Sequence, residues 1–157
     1  MVALHNIDIA VTSGEFLSIV GASVSGKSTL LNIIGCIDQP SSGDVYIDNV
    51  RIDYKNTSSL VHLHRQTIGF VFQSFNLIPT MTELENVGYP IYFNRIPRSR
   101  RETRAMELLE SVELGDRAHH LTYELSGGEQ QRVAIARALA NEPRLLLADD
   151  TNGNIDS

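Results

Sequence analysis

Nine consecutive residues carry the first chemical signal: Gly21-Ala22-Ser23-Val24-Ser25-Gly26-Lys27-Ser28-Thr29. The pattern is a glycine, four residues, then Gly-Lys-Ser, the spacing of a phosphate-binding loop. A triphosphate carries several negative charges and must be gripped without blocking its reactive end. Glycines let the backbone curl so that successive N–H groups face phosphate oxygens. Lys27 supplies a point charge for the β- and γ-phosphates, and Ser28 a hydroxyl for Mg²⁺. Two elements must position this loop. Phe16-Leu17-Ser18-Ile19-Val20 reads as a buried strand, and Lys27 to about Cys36 as an apolar helix whose positive end faces the anion. Val24 stands where such loops usually turn with positive φ, which a β-branched residue adopts only with strain. The competing reading is a chance match in a Gly/Ser loop.

Three further groups are chemically loaded. Leu125-Ser126-Gly127-Gly128-Glu129-Gln130-Gln131-Arg132 precedes the helical run Val133-Ala134-Ile135-Ala136-Arg137-Ala138-Leu139. Ser126 can cap that helix, and two glycines leave its first turn bare enough for another molecule's phosphate to approach. An ordinary Ser-capped start explains the cap but not the paired glycines, which cost helix stability. Arg144-Leu145-Leu146-Leu147-Ala148-Asp149-Asp150 reads as a strand buried on both faces, ending in carboxylates at the edge where α/β sheets bind ligands. Thr67-Ile68-Gly69-Phe70-Val71-Phe72 reads as another buried strand, broken by Gln73 and the segment Ser74 to Pro79. Alone, the Asp pair and Gln73 would be solvated strand ends.

Together these motifs resemble the ATP-binding subunit of ABC transporters, over essentially the whole chain. Phe70-Val71-Phe72-Gln73-Ser74-Phe75-Asn76-Leu77 is similar to that family's glutamine loop, and Ile34-Gly35-Cys36-Ile37-Asp38 with Leu84-Glu85-Asn86-Val87 most resembles the branch with macrolide exporters and lipoprotein-releasing systems. The resemblance implies an α/β P-loop fold with a small antiparallel β part and an inserted helical subdomain. In that scheme residues 1–73 and 126–157 form the ATP-binding core and residues 74–125 the helical subdomain. It implies ATP and Mg²⁺ as cofactors and a role for each matching residue. Residues Gly21 to Thr29 cradle ATP. Ser28, Gln73 and Asp149 hold or sense Mg²⁺. Lys27, Gln73 and Asp150 serve catalysis, with Asp150 at the position of the catalytic glutamate. Ser126, Gly127, Gly128 and Glu129 match the LSGGQ signature, which contacts ATP held by a second, head-to-tail subunit. Gly153-Asn154-Ile155-Asp156-Ser157 resembles the loop along that dimer interface.

The departures carry expectations of their own. Asp150 is one methylene shorter than glutamate, so its reach to a water shrinks and hydrolysis should slow. Thr151 replaces a proline that fixes φ. Against the family pattern both ends read as incomplete. No aromatic candidate for adenine stacking precedes Leu4, and the switch histidine would lie past Ser157.

Composition sets the outer limits. The chain has 157 residues, 42% apolar and 20% charged, enough for one domain with a core. No stretch approaches a membrane span, and the start lacks the basic region of a signal peptide. A transport role therefore calls for separate membrane subunits, with this chain cytoplasmic and peripheral at the inner face of the membrane. The net charge of −6 argues against a partner held by nucleic-acid phosphates. The lone cysteine, Cys36, suits packing rather than redox chemistry. Residues 98 to 112 read as a surface helix with Ala105, Leu108, Leu109 and Val112 inward. Two rival functions differ in class. One is an ATP-gated interaction module that binds but barely hydrolyses, favoured by Val24, Asp150 and Thr151. The other is an ABC-type ATPase of DNA repair or translation, which would carry two cassettes or a long coiled-coil insertion.

Overall fold

The computed structural model describes residues 4–22 and 25–149, which divide into two units at Tyr54. In the first unit, Gly26 adopts φ 89° and launches helix α1 (Lys27–Ile34). That left-handed turn is available to glycine without penalty. The helix ends at Gly35, earlier than its apolar run predicts, and Cys36 follows with φ 56°. Cys36 is nevertheless buried, and the nearby Tyr54 hydroxyl donates to Ile33 O at 2.9 Å. Burial pushes the Cys36 thiol upward, which keeps it protonated and inert. Strands β1 (Tyr46–Ile47) and β2 (Val50–Arg51) form the expected small antiparallel hairpin. Its two-residue loop, Asp48 and Asn49, has φ 53° and 61°, the primed turn that matches strand twist.

The strand expected over Phe16 to Val20 does not form, nor does the alternating run Ile7, Ile9, Val11 become one. Residues 7–11 and 16–20 have no assigned pairing, and Phe16 and Val20 are 92% and 90% exposed. A β-branched, apolar run becomes a strand only when a neighbour accepts its N–H and C=O groups. What the sequence does here is turn: Glu15 N donates to Thr12 O at 3.1 Å across Gly14, whose φ is 81°.

The second unit holds helix α2 (Thr57–Gln66), strand β3 (Ile68–Val71), helices α3 (Glu83–Tyr92), α4 (Arg98–Ser111) and α5 (Gly127–Ala138), and strand β4 (Leu145–Ala148). Strands β3 and β4 pair in parallel, Ile68 opposite Leu145 and Val71 opposite Ala148. Three helices intervene in sequence, as a parallel crossover requires. Val87, Ile91, Ala105, Leu109 and Leu114 pack with Val133 and Ala136 in one cluster. Ala134 and Ala138 turn the other way, onto Val71. Helix α5 thus separates a helical layer from the strand pair.

Gly69 permits that closeness. A Cβ there would lie 2.8 Å from Pro143 Cγ and collide with the Ala138 carbonyl. The predicted helix at 98–112 is α4, with Ala105, Leu108 and Leu109 inward. The expectation for β4 needs correction. Leu147 is buried, but Leu146 is 46% exposed and Ala148 is exposed. Among the described residues β4 has β3 as its single strand neighbour.

Candidate functional site

The phosphate loop lies in the first unit. At Gly21 a Cβ would come within 2.9 Å of Ser25 Oγ, so the loop curls tightly against its own serine. Ser25 N donates to Ala22 O at 3.2 Å and closes the turn. The Lys27 ammonium reaches back over the loop, donating to Gly21 O at 2.6 Å and Ala22 O at 2.9 Å. It is a cation held by neutral acceptors, which phosphate oxygens outmatch in strength. The ladder of α1 starts with Leu30 N donating to Gly26 O, so the helix end ahead of it faces the loop. Ser28 is exposed and Thr29 half-buried at that end. Ser23 and Val24 lie outside the described residues, and with them the strain expected at Val24.

The second unit gathers two more of the expected residues at one sheet edge. Asp149 N donates to Val71 O at 3.0 Å, continuing the ladder past β4. Gln73 is two residues beyond Val71, exposed in a tight turn that Phe75 N closes on Phe72 O at 3.0 Å. Both therefore sit at the carboxyl end of the parallel pair, where such sheets place ligands. They offer amide and carboxylate oxygens at that edge, hard donors of the kind Mg²⁺ takes. Mg²⁺ typically takes one or two protein carboxylates and completes its shell with water and substrate phosphate. Among the described residues no group of three His, Cys, Asp or Glu side chains is placed to hold a metal ion. Asp150, Thr151 and the Gly153–Ser157 segment lie outside the described residues.

The third group is the start of α5. Ser126 caps it as expected, accepting from Glu129 N. Glu129 closes the box in return: its Oε2 accepts from Ser126 N at 2.8 Å and from Ser126 Oγ at 2.7 Å. The Ser-x-x-Glu spacing is the signal that finds this reciprocal cap. Those Ser126 bonds, with lesser attraction from Arg117 and Arg132, hold the Glu129 carboxyl below the usual range. Gly127 and Gly128 are exposed, and a Cβ on either would meet no atom within 4 Å. The helix end is therefore open to an incoming group.

Polar residues around these sites have structural roles that their motifs do not reveal. Asn86, fully buried, accepts from Ile78 N at 2.7 Å and donates to Ile78 O at 3.1 Å, pinning the segment after Gln73 onto α3. Gln130 donates to Thr122 O at 3.0 Å and Leu125 O at 3.1 Å, fixing the chain that enters α5. Arg137 and Glu83 form a third such pair, described below. A polar residue among apolar ones at helical spacing was their only trace in the sequence.

A family model described as ABC transporter matches residues 4–152. The solved ATP-binding cassette MJ0796 of Methanocaldococcus jannaschii, a dimer bound to ADP and Pi, superposes with a TM-score of 0.90 at 50% identity. That match covers 99% of this chain and 68% of the other. The lipoprotein-releasing system ATP-binding protein LolD of Aquifex aeolicus is 51% identical over 98% of this chain and 69% of its own. The macrolide export ATP-binding/permease protein MacB of Brucella melitensis is 50% identical over 98% of this chain and 24% of its own length. The chain thus spans about two thirds of the single-cassette relatives and about a quarter of the fused one.

Proposed function

The chain belongs to the ABC transporter family as an ATP-binding domain with the P-loop ATPase fold, and from that we propose that it powers export or lipoprotein extraction by hydrolysing ATP. The relatives named for macrolide export and lipoprotein release support this choice of cargo class. The observation that carries the proposal is the open start of α5, where Gly127 and Gly128 present a bare, capped helix end.

In this reading Gly21 to Thr29 grip ATP, with Lys27 leaving its loop carbonyls for the β- and γ-phosphates. When bound, Mg²⁺ supplies charge neutralisation on the phosphates. Ser28, Asp149 and Gln73 would hold it. Asp150 orients the attacking water. Ser126, Gly127, Gly128 and Glu129 serve the ATP of a second cassette in a head-to-tail pair, as the dimeric form of MJ0796 supports. Residues 74–125 act as the helical subdomain facing separate membrane subunits. No helix among the described residues is long and apolar enough to cross a membrane, which fits a peripheral site at the cytoplasmic face. Positioning and charge stabilisation then account for most of the catalysis. No described residue favours a non-hydrolysing module, because the positions that would motivate one lie outside the description.

Two variants of the full-length protein test the assignment. Lys27→Ala should abolish measurable Mg-ATP binding by calorimetry, and retained tight binding would remove the phosphate-loop role. Gly128→Asp should bind ATP normally yet lose phosphate release, because its carboxylate repels the partner's nucleotide. Normal release from that variant would sink the head-to-tail arrangement.

A further inference from the structure

Arg137 lies near the end of α5 and points its guanidinium at the loop that follows Gln73. Its Nη1 donates to Asn76 O and its Nη2 to Phe75 O, both at 2.6 Å. Phe75 and Asn76 have φ of 58° and 50°, a left-handed conformation that costs energy for side-chain-bearing residues. A fork of two parallel N–H donors is the geometry that fixes such a turn, and only arginine supplies it.

The charge balance around Arg137 is unusual. Arg137 is half-buried, and that partial burial lowers its pKa. Yet it spends its hydrogen bonds on neutral carbonyls. The opposite charge acting on it is Glu83, the first residue of α3. Glu83 is fully buried, and neither carboxylate oxygen has a hydrogen-bond partner. The Thr122 hydroxyl stands near it but outside hydrogen-bonding geometry. A half-buried cation and a buried carboxyl group without a hydrogen-bond partner leave a second arrangement open: the guanidinium turned from the carbonyls to the carboxylate.

We propose that Arg137 is a positioning residue, tying the Gln73 loop to helix α5, with Glu83 as the alternative acceptor that holds the guanidinium when the loop lets go. The consequence is mechanical. Helix α5 carries Ser126, Gly127 and Gly128 at its start and Arg137 in its last turn, about 18 Å of rigid rod at 1.5 Å per residue. A displacement of the Gln73 loop is therefore delivered to the end that serves the other cassette's ATP. The Arg137 fork, with the loop carbonyls as one set of acceptors and Glu83 as the proposed other, is the two-state element that such coupling requires. The inference rests on the proposed role of Gln73.

The test uses the full-length protein with Mg-ATP. Arg137→Gln combined with Glu83→Gln removes both charges, so no uncompensated ion remains, and a denaturant midpoint no lower than wild type shows that the variant folds. A positioning role predicts that kcat nonetheless falls about 10- to 100-fold, the scale of a misplacement near 1 Å, with KM for ATP unchanged within about twofold. Arg137→Lys keeps the charge and loses the fork, and should show the same kcat-only defect in milder form. Wild-type kcat in either variant overturns the proposal, and the lysine variant decides the matter if the double variant does not fold. Gln73→Ala, measured alongside, separates the two layers. If it leaves kcat intact, the reading of Gln73 fails. If it slows hydrolysis while the Arg137 variants do not, the tie alone is wrong.

Discussion

Replacing Glu83 by glutamine should stabilise the protein, and only above a defined pH. Glu83 opens α3, where an exposed carboxylate would be favoured by the helix dipole. Full burial overrides that: loss of water pushes its pKa from 4.5 to about 7, against weaker opposing effects of Thr122 and Arg137. The folded protein therefore keeps a proton that the unfolded chain releases between about pH 4.5 and 7. The sign follows from that difference in bound protons. Stability is greatest below the lower value, falls as pH rises through the window, and carries the full cost above about 7. At about 1.4 kcal/mol for each tenfold change, the cost is about 3 kcal/mol, with the attraction of Arg137 already included. Glutamine is neutral throughout, so Glu83→Gln should match wild type near pH 4.5 and exceed it by up to about 3 kcal/mol at pH 8. In urea this is a midpoint shift of about 1–2 M for a slope typical of a small protein. Other titrating groups cancel in the difference between the two proteins. Urea midpoints that run parallel from pH 4.5 to 8 would refute the buried, uncompensated carboxylate.

Gly69→Ala should destabilise the protein by about 1–3 kcal/mol, the usual cost of forcing atoms into a packed interface, read as a lower urea midpoint. An unchanged midpoint would mean that α5 and Pro143 yield without cost. Asp150→Glu restores the longer reach of a general base, and phosphate release from the full-length protein should rise by about 10²-fold. A rise no larger than scatter would show that the shorter carboxylate already reaches its water.

The elements that hold the site were legible in the sequence where local chemistry decides them. Ser126 before two glycines and the apolar spacing of 98–112 both predict what α5 and α4 show, because capping and periodicity act within a few residues. Phe16 to Val20 reads as a strand by composition, yet pairing depends on a partner elsewhere in the chain, and composition does not say whether one is present. The leucines of β4 fail on the same ground, since burial on two faces needs two covering layers. Asn86, Gln130 and Arg137 were invisible for a different reason. Their partners are backbone N–H and C=O groups, common to nearly every residue, so no residue type at the far end marks the contact. The chemistry-bearing side chains were legible as types and spacings; the polar struts that aim them were not.

The pairing of β3 with β4 bears on how the chain reaches its fold. Ile68 must find Leu145 from across the whole helical layer, a contact distant in sequence. Such contacts slow folding, because chain entropy is lost before any ladder bond forms. Here the intervening chain shortens its own path. Helices α3, α4 and α5 share one apolar cluster built from neighbours in sequence, and α5 delivers Ala134 and Ala138 to Val71. Once that cluster has condensed, the segment leading into β4 hangs a few residues from Gly69, at the contact between Ala138, Pro143 and the strand. The helical layer thus works as an internal template, turning a long-range search into a short one and leaving the strand edge that bears Gln73 and Asp149 to be completed last.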